Sequence, residues 1–427
     1  MTLVSELELP AFDHTDTEMR GARFHAAMAE LRAQAAAGEG PDWLVRSPFG
    51  YMTLDREAGE FFLRTRSAIF PGMKIAEIFG VGEGPLYEQM RRNILHVNGA
   101  DHTRLRSLVN PALSPRAVER YRPVMREFLE QLLASAVEAE GAGEEIRCDF
   151  VETFAKPYPS LAIATVMGAP LDDAPRLHHW SNVIQRQFDA VSMSSEIELI
   201  EQAVEEFYEY AQALVRARRE DPSDDLISKL IAATAASEDG EQVERLSDVE
   251  CINLVFNVLV GGVDTSQSQL AHAIRLLAEH PEQLALLATD RSLADAAVEE
   301  ALRYEPITPF TARILVEDVE YDGIGFPEGT VVMVCAFTGN RDLDAQDAGA
   351  AGAERFDITA ERGRARPLTF GAGVHYCLGA NLARVELQEG LAFLSRRLQG
   401  LRLAGEPVFE GVSGIYGLAE LPIAFSV

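Results

Sequence analysis

FGAGVHYCLGANLAR, residues Phe370–Arg384, sets one cysteine, Cys377, between a glycine-rich turn and the opening of a helix. The other three, Cys148, Cys251 and Cys335, lie far from it and from one another, and the chain has no C-x-x-C pair, zinc-type spacing or C-x-x-C-H. A disulfide scaffold and a structural zinc are thereby excluded as organising features. The 427 residues around this stretch are 47% hydrophobic and 25% charged, ordinary globular values that supply a large apolar core. No Pro/Gly/Ser linker divides them, so the expectation is one domain over 1–427, with Ala/Gly/Glu-rich surface loops from Ala33, Glu138 and Asp344. Thirty-eight basic against 67 acidic residues give a net charge of −29, which argues against nucleic acid or an anionic membrane as the main partner. The acidic N-terminus lacks the basic and apolar regions of a signal peptide, and the longest apolar run, from Cys251, is too short to span a bilayer. A cytoplasmic protein without a membrane anchor is expected.

Helical periodicity dominates. RAVERYRPVMREFLEQLLASAV places Val118, Tyr121, Met125, Phe128, Leu129 and Leu132 on one face. Strand signals are fewer: TARILVEDVEYDGIGFPEGTVVMVCAFT alternates and turns at glycines, and the C-terminus after LRLAGEPVF reads as extended. The fold class is mainly α (α+β) with small sheets and no βαβ alternation. In RLSDVECINLVFNVLVGGVDTSQSQLAHAIRLLAEHP, Ser247 and Glu250 form an S-x-x-E capping box, and His280 before Pro281 ends the pattern. The span predicts a helix of roughly 30 residues, about 45 Å long, whose apolar first half crosses the interior. Midway, Gly261 and Gly262 each cost about 1 kcal/mol relative to alanine. Asp264 and Thr265 follow, a carboxyl and a hydroxyl in an apolar segment. Either the helix is kinked with its polar pair satisfied locally, or it loosens to let backbone approach a flat ligand.

Cys377 has three possible uses. A nucleophile at a helix start needs a base, which His375 could provide. A buried thiol is inert. Axial ligation of haem iron needs a tight turn, backbone N–H groups facing the sulfur and no bulk beneath the ring, and glycines at 371, 373 and 379 suit this use best.

The segment resembles the haem-thiolate loop of cytochrome P450 enzymes, F-G-x-G-x-H-x-C-x-G with a following L-A-R. Phe370, Gly371, Gly373, His375, Cys377, Gly379, Leu382, Ala383 and Arg384 occupy the fixed positions. The likeness is to soluble bacterial members. It implies a helix-rich triangular prism with small β-sheets and haem b buried between the long central helix and the cysteine-loop helix. It makes Cys377 the axial iron ligand and reassigns His375 to the haem propionates, together with His102 and Arg106 of HTRLR and Arg313 of FTARI. Phe370, Gly371, Gly379, Gly262 and Leu95 become further cofactor contacts. GGVDTS resembles the family's oxygen-binding groove, with Thr265 bonded to dioxygen or its ordered water and Asp264 relaying protons from solvent. Glu300 and Arg303, spaced E-x-x-R, resemble the family's structural pair, which Arg355 would complete.

The implied activity is insertion of one atom of O2, the co-substrate, into a hydrophobic small molecule, typically by C–H hydroxylation. Substrate contacts are expected from Val260, Gly261, Phe188, Ile307, Phe310, Ile415 and Tyr416. No flavin or nicotinamide motif is present, so electrons from NAD(P)H would arrive through a ferredoxin and its reductase, docking at Arg362, Arg364 and Arg366 of a monomer. A peroxide-driven peroxygenase of the same fold and a non-catalytic haem sensor are the alternatives. The chain departs from many relatives in reading NGADH from Asn98, Leu343 after NRD, and DAQDAGAAGAE in place of a proline-rich segment.

Overall fold

In the computed structural model, which describes residues 2–140, 145–236, 243–344, 350–362 and 366–427, the alternating stretch from Phe310 becomes four strands. They are Phe310–Leu315, Val319–Tyr321, Ile324–Phe326 and Val331–Cys335. Asp322 and Gly323 form the two-residue hairpin loop between the middle pair, with φ of 49° and 74°. An Asp-Gly pair tolerates the positive values this turn demands. These strands belong to the first of two compact units, residues 1–71, 295–377 and 408–419. Its main sheet runs in the order Leu44–Ser47, Gly50–Thr53, Val331–Cys335, Phe310–Leu315, Ala68–Ile69. Val332 stands opposite Tyr51 on its parallel side and Arg313 on its antiparallel side. The hairpin Leu44–Thr53 adds to the strands expected from sequence. Apolar clusters form on Phe62, Phe326 and Trp43 and on Phe24, Phe337 and Tyr416.

The second unit, residues 72–294, 378–407 and 420–427, carries most of the helix. Its C-terminal strand Pro422–Ser426 pairs antiparallel with both Ile146–Asp149 and Gln399–Leu403. The expected capping box is present: Glu250 N–H donates to Ser247 Oγ at 3.3 Å, and Ser247 N–H donates to Glu250 Oε2 at 2.8 Å. The single helix expected here is instead two, Asp248–Gly262 and Asp264–Glu279, which meet at Val263 with φ −91° and ψ −68°. Two glycines weaken the turn, and Thr265 Oγ1 donates to the Gly261 carbonyl at 2.5 Å, a side-chain competitor for the helical ladder. The Val263 and Gln267 amides still reach the Leu259 and Val263 carbonyls, at 3.2 and 3.0 Å, so the break is a local loosening. The first helix packs on Ile197–Glu220 and Ala174–Gln185, the second on Ala380–Arg397. Asp248–Glu279 is long and apolar enough to cross a membrane, but 67% of its apolar window is buried inside the protein, as in a core helix.

Candidate active site

The cysteine loop owes its shape to two glycines. Gly371 and Gly373 have φ of 69° and 72°, and a Cβ on Gly373 would lie 2.5 Å from the Leu63 carbonyl oxygen, so no other residue fits there. The loop closes through Gly371 N–H to Leu368 O (2.7 Å) and Cys377 N–H to Phe370 O (2.9 Å). Phe370 and Tyr376 pack edge to face with centroids 6.3 Å apart. Cys377 and His375 are left half-exposed. Cys251 and Cys335 are buried instead, and burial pushes the first up to about 11 and the second upward as well, which keeps both as inert thiols. Beyond Gly371 and Gly379 a Cβ would meet nothing within 4 Å. A half-exposed cysteine on a rigid loop with open space at its glycines fits a thiolate ligand to a flat cofactor.

Arg313, on the same unit, is 2% exposed. Its Nη1 donates to the Ala312 carbonyl at 2.9 Å, and among the described residues no acid offsets its charge. Burial alone pulls its pKa down to about 10. A buried guanidinium without a carboxylate is expensive, and a propionate is the kind of group that would complete it. Within this unit the residues therefore fit haem: Cys377 would hold the iron, and Arg313 with His375 would hold a propionate.

In the second unit, Gly99 enters helix Gly99–Val109 with φ 66°, which is how NGADH starts this helix. His102 is buried and Arg106, one turn on, is half-buried. Burial and then the Arg106 charge lower the His102 pKa. At the helix break Asp264 is 7% exposed, and burial raises its pKa against a 3.3 Å hydrogen bond from Asn182 Nδ2 to its Oδ1. Asn182 Oδ1 in turn accepts from Arg186 Nη2 at 3.0 Å, and Arg186 pairs with Glu196 at 2.6 Å. Thus Asp264, expected to relay protons from solvent, is itself buried and reaches the half-exposed Glu196 through two intervening side chains.

Two candidate side chains escaped the sequence reading. Glu386, nine residues after Cys377, is 1% exposed and accepts from Ser266 Oγ at 3.0 Å, while its Oε1 has no partner. Burial pushes its pKa up to about 8. The available signal was an acid between Val385 and Leu387 on an apolar helix face. The other is Asn182, whose link to Asp264 joins residues far apart in sequence.

Several expected roles change. Glu300 pairs with Arg303 at 2.7 Å as expected, but the second guanidinium on it is Arg362 (2.8 Å), whereas Arg355 contributes its carbonyl to Arg303 and its side chain is exposed. Arg362 is thereby withdrawn from the proposed docking surface. Arg366 is exposed there; Arg364 lies outside the described residues. Tyr416 is fully buried, its hydroxyl accepting from Gly21 N–H at 3.0 Å and its ring stacked 6.0 Å from Phe409, so it is core and not a substrate contact. Phe310 packs on Phe12 and Phe24. Gly262 has a packing reason, since a Cβ there would lie 2.5 Å from Ile163 Cδ1. Gly261 is exposed with open space beside it, Val260 and Ile307 are 5% exposed, and Phe188, Ile415 and Leu95 are half-buried.

A sequence model of the family Cytochrome P450 matches residues 80–404. Luteothin monooxygenase of Streptomyces thioluteus is 33% identical over 421 residues, 98% of this chain and 96% of that one. Mycinamicin IV hydroxylase/epoxidase of Micromonospora griseorubida is 34% identical over 343 residues, 79% and 81% of the two chains. The crystal structure of CalO2 superposes with a TM-score of 0.83 at 30% identity, covering 98% of this chain and 99% of the other. The chain belongs to the cytochrome P450 family, and it is a monooxygenase, an oxidoreductase whose family uses haem and O2.

Proposed function

We propose that the protein inserts one oxygen atom into a C–H bond of a hydrophobic small molecule, with electrons supplied from NAD(P)H by a ferredoxin and its reductase. Haem, when bound, supplies the activation of oxygen; the rest falls to the chain's own residues. Cys377 presents its sulfur from a loop whose backbone cannot relax, because Gly373 is locked against Leu63. Arg313 contributes a buried positive charge that orients a carboxylate.

The observation that carries the reading is the helix break, where a buried carboxyl and a hydroxyl stand side by side. Asp264 holds its proton more tightly than an ordinary aspartate, and Asn182 fixes its Oδ1. The hydroxyl of Thr265 is anchored on the Gly261 carbonyl, which leaves its oxygen lone pairs available to an incoming donor. Ser266 adds a second route, ending on the Glu386 carboxyl of the packed helix Ala380–Arg397, where burial favours the protonated form and so provides a proton store. The relatives named as a hydroxylase/epoxidase and a monooxygenase support oxygen insertion as the outcome.

The test is the carbon monoxide spectrum of the reduced protein, with Cys377→His alongside, followed by turnover of Thr265→Ala. A thiolate-type band lost in the first variant, and oxygen consumption diverted to peroxide in the second, are expected. A band that persists in Cys377→His overturns the ligand assignment, and fully coupled turnover in Thr265→Ala overturns the proton route.

A further inference from the structure

Helix Asp248–Gly262 is buried on almost every side. From Cys251 to Thr265 the residues that are not buried are Asn257, Gly261, Gly262 and Thr265. Asn257, Gly261 and Thr265 are spaced by four, so they form one open stripe along the helix. One turn further back on this stripe stands Asn253, 3% exposed. Its Nδ2 donates to the Val249 carbonyl at 2.7 Å, while its Oδ1 has no partner. Asn257 Nδ2 donates to the Asn253 carbonyl at 2.6 Å. Both residues line a cavity of about 50 Å³ together with Arg92, Ile94, Leu105 and Leu254.

Two asparagines in an apolar helix interior oppose folding, and a buried acceptor without a donor carries its full desolvation cost. The charged groups at the cavity are already matched: Arg92 pairs with Glu88 at 2.7 Å, and Glu250 pairs with Arg104 and accepts from Ser247 N–H at 2.8 Å. What is unmet is a neutral acceptor. The cavity holds little more than one water at its share of liquid volume, about 30 Å³, so it suits the end of a molecule and not a whole one.

We propose that Asn253 and Asn257 anchor the polar end of the substrate, an elongated and otherwise apolar molecule that offers a hydroxyl or N–H to these amide oxygens. The carbon to be oxidised then lies along the same stripe at Thr265, a claim that rests on the role given to Thr265 above. Eight and twelve residues of helix separate Thr265 from the two amides, about 12 and 18 Å at ~1.5 Å per residue. Oxidation falls at that distance from the donor group.

The holoenzyme is titrated with 1-undecanol and with dodecane, which match in heavy-atom count, following the ligand-induced Soret shift. The ratio of alcohol affinity to dodecane affinity should be about tenfold higher in wild type than in variants that lack the amides, the worth of one hydrogen bond. Asn257→Leu and Asn253→Leu should lose that advantage and keep dodecane affinity within about twofold. Ligand-free Asn253→Leu should melt at or above the wild-type temperature, because an unmet acceptor has been removed. An alcohol-to-dodecane affinity ratio that is the same in wild type and both variants overturns the proposal, as does a lowered melting temperature in Asn253→Leu with that ratio unchanged, which would make the amide structural. The carbon monoxide spectrum separates the two readings: an abnormal wild-type spectrum faults the haem-thiolate assignment, whereas a normal one with that ratio unchanged faults the anchor alone.

Discussion

Glu386→Gln tests the buried acid by its pH signature. The wild-type carboxyl is 1% exposed, and burial holds its pKa near 8 against the Ser266 hydrogen bond, where an ordinary glutamate lies at 4.5. Between those values the folded state keeps a proton that the unfolded chain releases. Stability contributed by this site is therefore full below the unfolded value, falls as pH rises through the window, and levels off above the folded value. The slope is at most about 1.4 kcal/mol per pH unit, and the total is on the order of a few kcal/mol. For 427 residues the unfolding entropy is about 0.9 kcal/mol/K, so the effect amounts to roughly 3–4 °C in melting temperature. The assay is thermal unfolding of wild type and Glu386→Gln holoenzyme from pH 5 to pH 9 at constant ionic strength. Their difference should grow in favour of the variant from pH 5 upward, by about 3–4 °C in all, and level off above about pH 8. A constant offset reflects the amide N–H groups placed beside Ser266 and is irrelevant to the argument. Parallel curves would refute it, because the carboxyl would then be ionised, or its proton shared, in both states.

Arg313→Met should keep the sheet, since Arg313 sits mid-strand opposite Val332, but should weaken haem retention by tenfold or more, read as the rate of haem transfer to an acceptor protein. Unchanged retention would remove Arg313 from the propionate set. Arg362→Ala should lower the melting temperature, because Glu300, 3% exposed on its side chain, loses one of two cations, a loss on the order of 1–3 kcal/mol. Electron transfer from a ferredoxin should keep its salt dependence in that variant. A changed salt dependence with an unchanged melting temperature would return Arg362 to the docking surface.

Much of the site was legible because its signals are short-range. The Ser247 and Glu250 box, the stop at His280, the Asp322–Gly323 turn and the Glu300–Arg303 pair each act across four residues or fewer. The break at Val263 was half-visible: the glycines signalled a weak turn, but the bond from Thr265 to the Gly261 carbonyl that helps open it depends on a side-chain rotamer. Arg355 was assigned to Glu300 by resemblance to the family's structural Glu/Arg network, and the fold instead brings Arg362 round to it. Tyr416 looked like a pocket aromatic and proved to be core, because its hydroxyl meets Gly21 from the other end of the chain.

By itself the sequence determined the cysteine loop and the caps, since glycine φ requirements, capping and helical spacing are enforced locally whatever the rest of the chain does, and the resemblance of that loop to a known family implied the class of chemistry. Tertiary structure decided which polar groups are buried and with whom: Glu386 with Ser266, Asp264 with Asn182, Arg313 with no acid among the described residues, and Asn253 with an oxygen unmet. Desolvation sets the proton affinity of such groups, and desolvation is a property of everything packed around a side chain, which no local spacing encodes.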